Sequence, residues 1–143
     1  MLVHMLVKEV MTKNVIGIDR HKTAFEACNI YKDKKVGCLL VTDNEQCVGI
    51  VTERDIIERI ICLQRNPEET KVEEIMSKEI KTIHALDKLE KAVDIMIKNN
   101  IKKLPVLQDD EIVGIITITD ISKIKPELSK RFTDSWIVPT WDD

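Results

Sequence analysis

Two kinds of apolar pattern alternate along the 143-residue chain. Short runs rich in Val, Ile and Leu, joined by a polar turn, predict a pair of buried strands. Apolar residues at helical spacing, over 24–31, predict an amphipathic helix before them. The predicted order is a helical lead-in, an extended run, the amphipathic helix, the two strands and a second helix: 7–11, 15–18, 24–31, 37–42, 47–52 and 56–61.

The same pattern occurs again sixty-five residues further on. Without a gap, 7–56 aligns with 72–121, and fifteen of the aligned positions are identical. This tandem duplication predicts two β-α-β-β-α repeats, at 1–66 and 67–125, followed by a tail at 126–143. Because one repeat is too small to cover both faces of its sheet, we expect an α/β fold in which the repeats pack sheet to sheet about a pseudo-twofold axis. Asp87 with Glu90 predicts a capping box for the amphipathic helix of the second repeat.

Each repeat ends its last strand in Thr-x-x-Asp, at Thr52 to Asp55 and at Thr117 to Asp120. On spacing alone, a helix capping box is the favoured interpretation. The same corner can bind a ligand, since a helix start presents backbone N–H groups to phosphate and Asp can accept from sugar hydroxyls. Recurrence at matched strand ends, with Arg54 beside one of them, favours ligand binding, and the two roles can coexist.

The composition argues against several classes of function. The net charge is −3 with both signs interspersed, which argues against nucleic-acid binding. No apolar run is long enough for a membrane span, and the start lacks the features of a signal peptide, so we expect a cytoplasmic protein. The motifs of nucleophilic, nucleotide-hydrolysing and metal-dependent enzymes are missing, so we expect neither an enzyme nor a metal site. We expect surface positions for the three histidines and core packing for the four cysteines, Cys28, Cys38, Cys47 and Cys62.

The paired motifs resemble the cystathionine-β-synthase (CBS) domain family, in the arrangement of a stand-alone CBS pair or Bateman module. They are V-M-T-K and I-M-S-K, V-G-C-L-L-V and I-K-K-L-P-V, and G-I-V-T-E-R-D and G-I-I-T-I-T-D, within about residues 7–125. The resemblance implies a regulatory protein that needs no cofactor and binds AMP, ADP, ATP or S-adenosylmethionine as an effector in clefts between its two domains. It also implies a homodimer of CBS pairs, which would act on another protein of unknown identity.

Transferred to this sequence, the resemblance implies two unequal clefts. One would place Thr117 and Asp120 with Asn14, Val15, Ile16, Val36 and Gly37. The other would place Thr52 and Asp55 with Glu79, Ile80, Lys81, Ile101 and Lys102. Phosphates would meet Arg54, Thr119, Lys102 and Lys103. The clefts are unequal because the first repeat has Gly37 and Cys38 where the second has the two lysines, and Leu40 where the second has Pro105.

The tail breaks the repeat pattern and contains both tryptophans, Trp136 and Trp141. Such a segment either packs on its own module or docks on another chain, and docking on the dimer mate is the preferred interpretation. The alternative to a ligand sensor is a ligand-independent dimeric scaffold, in which Thr-x-x-Asp serves only as a cap and the tail recruits a partner.

Overall fold

A computed structural model describes residues 4–136 of the chain. The fold is α/β, and it contains two three-stranded sheets ordered β1-β2-β3 and β4-β5-β6. In each sheet the first strand pairs parallel with the second, and the second pairs antiparallel with the third. The predicted β-α-β-β-α order of both repeats is thereby confirmed. The elements are α1 (Val7–Val10), β1 (Gly17–Asp19), α2 (Ala24–Lys34), β2 (Cys38–Asp43), β3 (Gln46–Thr52), α3 (Glu53–Ile56) with a π-helical turn (Ile57–Ile61), a 3-10 turn (Val72–Glu74), β4 (Ile83–His84), α4 (Leu89–Asn99), β5 (Lys103–Gln108), β6 (Glu111–Thr117), α5 (Ile118–Ile124) and α6 (Pro126–Trp136).

The chain divides into two compact units whose boundaries differ from those of the sequence repeats. The β1–β3 unit is Val15–Ile80, and the β4–β6 unit combines the residues up to Asn14 with those from Lys81 onward. Each lead-in therefore belongs to the unit that contains the other repeat's sheet. Thr12 forms a bridge with Ile115 of β6, and Ser77 forms the corresponding bridge with Ile50 of β3.

A glycine in each final strand permits this close approach of the lead-in. A Cβ atom on Gly114 would lie 2.8 Å from the carbonyl oxygen of Thr12, and one on Gly49 would lie 3.1 Å from that of Ser77. Both distances are shorter than ordinary van der Waals contact. The recurrent glycine is therefore explained by the backbone that crosses it, as expected for Gly within a strand.

Each unit has its own hydrophobic core. The β1–β3 core includes fully buried residues of β2 and β3 together with Val72 and Ile75 from the second lead-in. The β4–β6 core packs α4, β5 and β6 against Val7 from the first lead-in and against α6. The lead-ins thus contribute buried side chains as well as backbone hydrogen bonds, and each unit needs residues from both repeats.

The predicted capping box of Asp87 and Glu90 is wrong. The N-cap of α4 is Lys88, whose side chain makes no capping hydrogen bond. The Asp87 carboxylate instead accepts from the backbone N–H of His84 at 3.0 Å and pairs with Lys91 Nζ at 3.3 Å. The helix begins one residue too late for the predicted spacing, so the acid closes the turn before the helix.

The capping box of the amphipathic helix occurs in the first repeat. Thr23 Oγ1 accepts from the backbone N–H of Glu26 at 3.1 Å, and Glu26 Oε2 accepts from the backbone N–H of Thr23 at 2.8 Å. This backbone donor lowers the pKa of the Glu26 carboxyl. Lys88 and Lys91 occupy the two positions in the second repeat, and an ammonium group has no acceptor with which to cap a helix.

The described part of the tail packs on its own unit. α5 ends at Ile124 because Pro126 disfavours the α conformation at Lys125, where the backbone angles are φ −135° and ψ 81°. Leu128 belongs to α6, and with Phe132 it is buried in the β4–β6 core. The predicted docking on a dimer mate concerns the segment that contains Ile137, Val138 and Trp141. This segment lies outside the described residues, so its docking stays a prediction.

The cysteines differ in burial more than their apolar neighbours suggest. Cys38 is buried, Cys28 and Cys47 are half-buried, and Cys62 is exposed. Burial raises the pKa of the Cys28 and Cys47 thiols, which favours the neutral, unreactive form. Core packing is confirmed for Cys38 and is wrong for Cys62. The histidines His4, His21 and His84 are exposed, as predicted.

Candidate functional site

The two Thr-x-x-Asp motifs lie where the final strand of each sheet runs directly into a helix. Thr52 ends β3 and is the N-cap of α3, while Thr117 ends β6 and is the N-cap of α5. In both motifs the Thr hydroxyl accepts from the Asp backbone N–H and the Asp carboxylate accepts from the Thr backbone N–H. The predicted capping role of both motifs is confirmed, and each carboxylate has a fixed position.

The Asp55 carboxylate is enclosed. Its side chain is only 10% exposed, and Oδ2 accepts from the Thr52 backbone N–H at 2.9 Å and from the Thr52 hydroxyl at 3.3 Å. Oδ1 lies 3.8 Å from Nε of Arg59. The Tyr31 hydroxyl donates to the carbonyl of Val51 at 2.7 Å and so fixes the strand end before Thr52. Burial raises the pKa of Tyr31, which keeps this donor protonated.

The Asp120 carboxylate is more accessible. It is half-buried, and it accepts from the Thr117 backbone N–H at 3.1 Å and from the Thr12 hydroxyl at 3.5 Å. Both of these hydrogen bonds end on Oδ2. The other oxygen, Oδ1, can therefore accept from a ligand hydroxyl without breaking the helix cap.

Cationic side chains stand near each motif. Arg54, in the first turn of α3, is exposed and donates from Nε to Glu58 at 2.9 Å, an ion pair that raises the pKa of the guanidinium. Lys103 pairs with Thr117 across β5 and β6, so their side chains share a face at the distance of direct cross-strand neighbours. The equivalent pair in the first sheet is Cys38 with Thr52, which lacks a cation on β2.

The seventeen residues predicted for ligand binding are divided between the two units. The β1–β3 unit contains Val15, Ile16, Val36, Gly37, Thr52, Arg54, Asp55, Glu79 and Ile80, and the β4–β6 unit contains Asn14, Lys81, Ile101, Lys102, Lys103, Thr117, Thr119 and Asp120. Asn14 therefore lies in the same unit as Thr117 and Asp120, its predicted neighbours. Ile80 lies in the same unit as Thr52 and Asp55, as does Glu79. The backbone carbonyl of Lys102 accepts from the N–H of Ile118, which ties the residues before β5 to the first turn of α5.

Sequence reasoning missed two residues that contact the paired carboxylates. Thr12 belongs to the V-M-T-K lead-in, and its hydroxyl contacts Asp120 because the lead-in lies beside β6. The spacing of the residues along the sequence does not indicate this contact. Arg59 lies four residues after Asp55, the spacing at which oppositely charged side chains meet on a helix. That spacing is the signal that could have identified Arg59.

The comparisons with known proteins show the family. Residues 7–62 and 72–127 each match the CBS domain family. Protein MK0525 of Methanopyrus kandleri is 30% identical over 124 residues, which cover 85% of this chain and 63% of that protein. The chain spans 42–64% of the length of the first four curated relatives that it matches.

The solved structures show the same fold. The conserved CBS domain protein TA0289 of Thermoplasma acidophilum, described as being of unknown function, has a TM-score of 0.84 at 26% identity, covering 93% of this chain and 76% of its own. A hexameric CBS-CP12 protein from bloom-forming cyanobacteria has a TM-score of 0.79 at 29% identity, covering 87% and 69%. The chain therefore belongs to the CBS domain family and contains two CBS domains in tandem. Proteins built from such a pair are generally regulatory and ligand-binding.

Two kinds of site are not found among the described residues. From His4 to Trp136, no helix has the length and apolar character required to cross a membrane. Over the same residues, no group of three or more His, Cys, Asp and Glu side chains is arranged to hold a metal ion. The candidate functional site of the described chain is the pair of Thr-x-x-Asp corners, in which a fixed carboxylate lies near a cationic side chain, and we call them the Asp55 half-site and the Asp120 half-site.

Proposed function

We propose that this CBS pair is a regulatory module that binds an adenosyl nucleotide of the AMP, ADP or ATP type and acts on another protein. The observation that supports it best is the Asp120 carboxylate, which is held by a helix cap through one oxygen and presents the other. Carboxylate oxygens accept hydrogen bonds strongly, and the paired hydroxyls of a ribose are suitable donors. Family membership supports the choice of an adenosyl ligand.

The remaining parts of an adenosyl ligand also have suitable partners among the predicted residues. Lys103 beside Thr117 and Arg54 beside Asp55 provide cationic groups for phosphate. Val15, Ile16, Val36 and Ile101 are half-buried apolar residues suited to an adenine ring. S-adenosylmethionine is the alternative adenosyl ligand, and it lacks the phosphates that the cations would bind. Such binding requires no covalent chemistry, so the proposed role is regulatory rather than enzymatic.

The ligand would act by changing what the module binds. A ligand can shift an equilibrium between two conformations only through a difference in its affinity for them. Homodimerisation is part of the proposal, and it is supported by the structural similarity to a CBS-CP12 protein described as hexameric. The regulated protein would then bind one conformation of the dimer better than the other.

A ligand-independent dimeric scaffold is the second candidate. It is favoured by one observation, namely that both capping boxes are complete within the described chain. In that case the aspartates stabilise helices only. Replacement of either carboxylate by Ala would then cost about 0.5–2 kcal/mol of stability and change no binding.

Isothermal titration and thermal unfolding with AMP, ADP, ATP and S-adenosylmethionine distinguish the two candidates. A ligand at one hundred times its Kd should add about 2.7 kcal/mol to the free energy of unfolding. Asp120→Asn keeps a cap acceptor but removes the charge, so it should lower affinity without the loss of stability expected of Asp120→Ala. Saturable binding that Asp120→Asn weakens supports the sensor. Absence of binding by all four compounds at saturating concentration refutes it and favours the scaffold.

A further inference from the structure

The strongest asymmetry between the two half-sites is the environment of the second carboxylate oxygen. In the Asp55 half-site, Oδ2 is used by Thr52 and Oδ1 faces Nε of Arg59 at 3.8 Å. In the Asp120 half-site, the hydrogen bonds from Thr117 and Thr12 both end on Oδ2. A ribose hydroxyl therefore meets an available acceptor at Asp120 but meets a guanidinium beside the acceptor at Asp55.

Arg59 also holds the backbone of the second lead-in. Its Nη1 donates to the carbonyl of Ile75 at 2.8 Å and to that of Met76 at 3.0 Å. The next residue, Ser77, exchanges two backbone hydrogen bonds with Ile50 of β3, at 2.9 and 3.0 Å. One guanidinium thus links the Asp55 carboxylate to a backbone segment that is itself fixed to the sheet.

The equivalent position in the second repeat is Ile124, sixty-five residues after Arg59. Ile124 is 50% exposed and has no group that can donate to a carboxylate. The first lead-in is held to β6 by the bridge between Thr12 and Ile115. The arginine link is therefore specific to the Asp55 half-site and does not follow from the fold.

We propose that Arg59 closes the Asp55 half-site to an adenosyl ligand, so that each chain binds one ligand, through Asp120. The Asp55 side chain is only 10% exposed and Arg59 Nε stands 3.8 Å from its Oδ1, so a ribose could reach this oxygen only after the guanidinium moves aside. Displacement would also leave the carbonyls of Ile75 and Met76 without their donor, and unpaired carbonyls are costly. This inference rests on the proposed function.

Titration of the full chain with ATP and with AMP tests the inference through stoichiometry. We expect one ligand per chain for the wild type and two for Arg59→Ile, which reproduces the second repeat at this position. In the Arg59→Ile background, Asp120→Asn should leave one ligand per chain at undiminished affinity, whereas in the wild type it should weaken all of the binding. The reverse exchange, Ile124→Arg, should weaken binding at Asp120 by about tenfold or more if the guanidinium reaches the carboxylate.

The outcomes separate this inference from the proposed function. Two ligands per wild-type chain, or binding by Asp120→Asn that keeps the wild-type affinity, overturn the closure of the Asp55 half-site and leave the sensor intact. Absence of heat for every protein with both probes overturns the proposed function itself. A purely structural Arg59 would lower stability in Arg59→Ile without adding a ligand, and that result also refutes the inference.

Two further measurements keep the test decisive if Arg59→Ile does not fold. Asp120→Asn alone then decides, because a weakening of all the binding, with no ligand left at wild-type affinity, requires a closed Asp55 half-site. Arg59→Lys retains a cation beside Asp55 and should keep one ligand per chain. Amide exchange at Ser77 should also quicken in Arg59→Lys, since a lysine cannot hold the carboxylate and both carbonyls in the planar geometry of arginine.

Discussion

Replacement of Gly114 by Ala tests how closely the first lead-in is fixed to β6. The added Cβ would lie 2.6 Å from Met11 Sδ and 2.8 Å from the carbonyl oxygen of Thr12. The methionine side chain can turn away, but the carbonyl belongs to a bridge whose two hydrogen bonds join Thr12 and Ile115 at 2.8 and 2.9 Å. Relief of the clash therefore requires the bridge to open.

The expected cost follows from these contacts. Loss of two backbone hydrogen bonds removes roughly 1–3 kcal/mol, since each contributes about 0.5–1.5 kcal/mol net. Alanine also lowers the conformational entropy of the unfolded chain, which offsets about 0.4–1 kcal/mol of this loss of stability. Gly114→Ala should therefore lower the free energy of unfolding of the β4–β6 unit by roughly 1–2 kcal/mol. It should also weaken the contact of Thr12 with Asp120, because the bridge positions that hydroxyl.

Two other glycines provide matched controls. A Cβ on Gly49 meets chiefly the flexible side chain of Met76, at 2.5 and 2.9 Å, with the Ser77 carbonyl at 3.1 Å. We expect Gly49→Ala to cost less, about 1 kcal/mol or below, because a methionine can repack. A Cβ on Gly17 meets nothing closer than 3.4 Å, so Gly17→Ala should be neutral or slightly stabilising.

Urea unfolding and amide hydrogen exchange measure these effects, and exchange resolves the two units separately. The expected order of destabilisation is Gly114→Ala, then Gly49→Ala, then Gly17→Ala. A Gly114→Ala protein as stable as Gly17→Ala would refute the rigid crossing of lead-in and strand. Equal losses for Gly114→Ala and Gly49→Ala would refute the distinction between a backbone clash and a side-chain clash.

Two further predictions concern stability. Phe132→Ala should lower the free energy of unfolding of the β4–β6 unit by about 3–5 kcal/mol, because this ring of α6 lies in its core. Amide exchange in β4–β6 that stays as slow as in the wild type would contradict this prediction. Backbone N–H donors at Thr23 and Lys71 lower the pKa of the Glu26 and Glu74 carboxyls. The stability that these two carboxylates contribute is therefore complete above the ordinary Glu pKa of about 4.3 and is lost as the pH falls through their lowered pKa values in the folded state. The urea midpoint should drop between pH 7 and about pH 3 and should drop less in Glu26→Gln, and an unchanged pH dependence in that variant would contradict the assignment.

The repeat could be predicted from the sequence because its apolar pattern is local. Alternation and helical spacing require only near neighbours, and the bounds of β2, β3, β5 and β6 differ from the prediction by at most one residue. Capping was harder to predict, because it depends on the exact residue at which a helix begins. Asp87 and Glu90 have suitable side chains, but α4 begins after Lys88.

Long-range placement of the lead-ins could not be predicted from the apolar pattern. The sequence alignment places Val7 and Val72 at the start of their own repeats. In the structure, each of them lies in the core that contains the other repeat's sheet. The clue was present in Gly49 and Gly114, since a glycine shared by two strand centres indicates a backbone that crosses close by. The sequence contains no indication of which backbone that is.

If the Asp120 half-site binds a ligand as proposed, the exchanged lead-ins would give it a physical means of transmitting a signal. The carboxylate oxygen that caps α5 also accepts from Thr12, and Thr12 is bridged to β6. A ligand hydroxyl on Asp120 would share its carboxylate with Thr12, so binding changes the strength of a contact that holds the first lead-in. At Asp55 the corresponding lead-in is held by the bridge of Ser77 to Ile50 and also by Arg59, a charged group that needs no ligand. On the proposed function, one duplicated motif would provide a responsive corner in one unit and a permanent tie in the other.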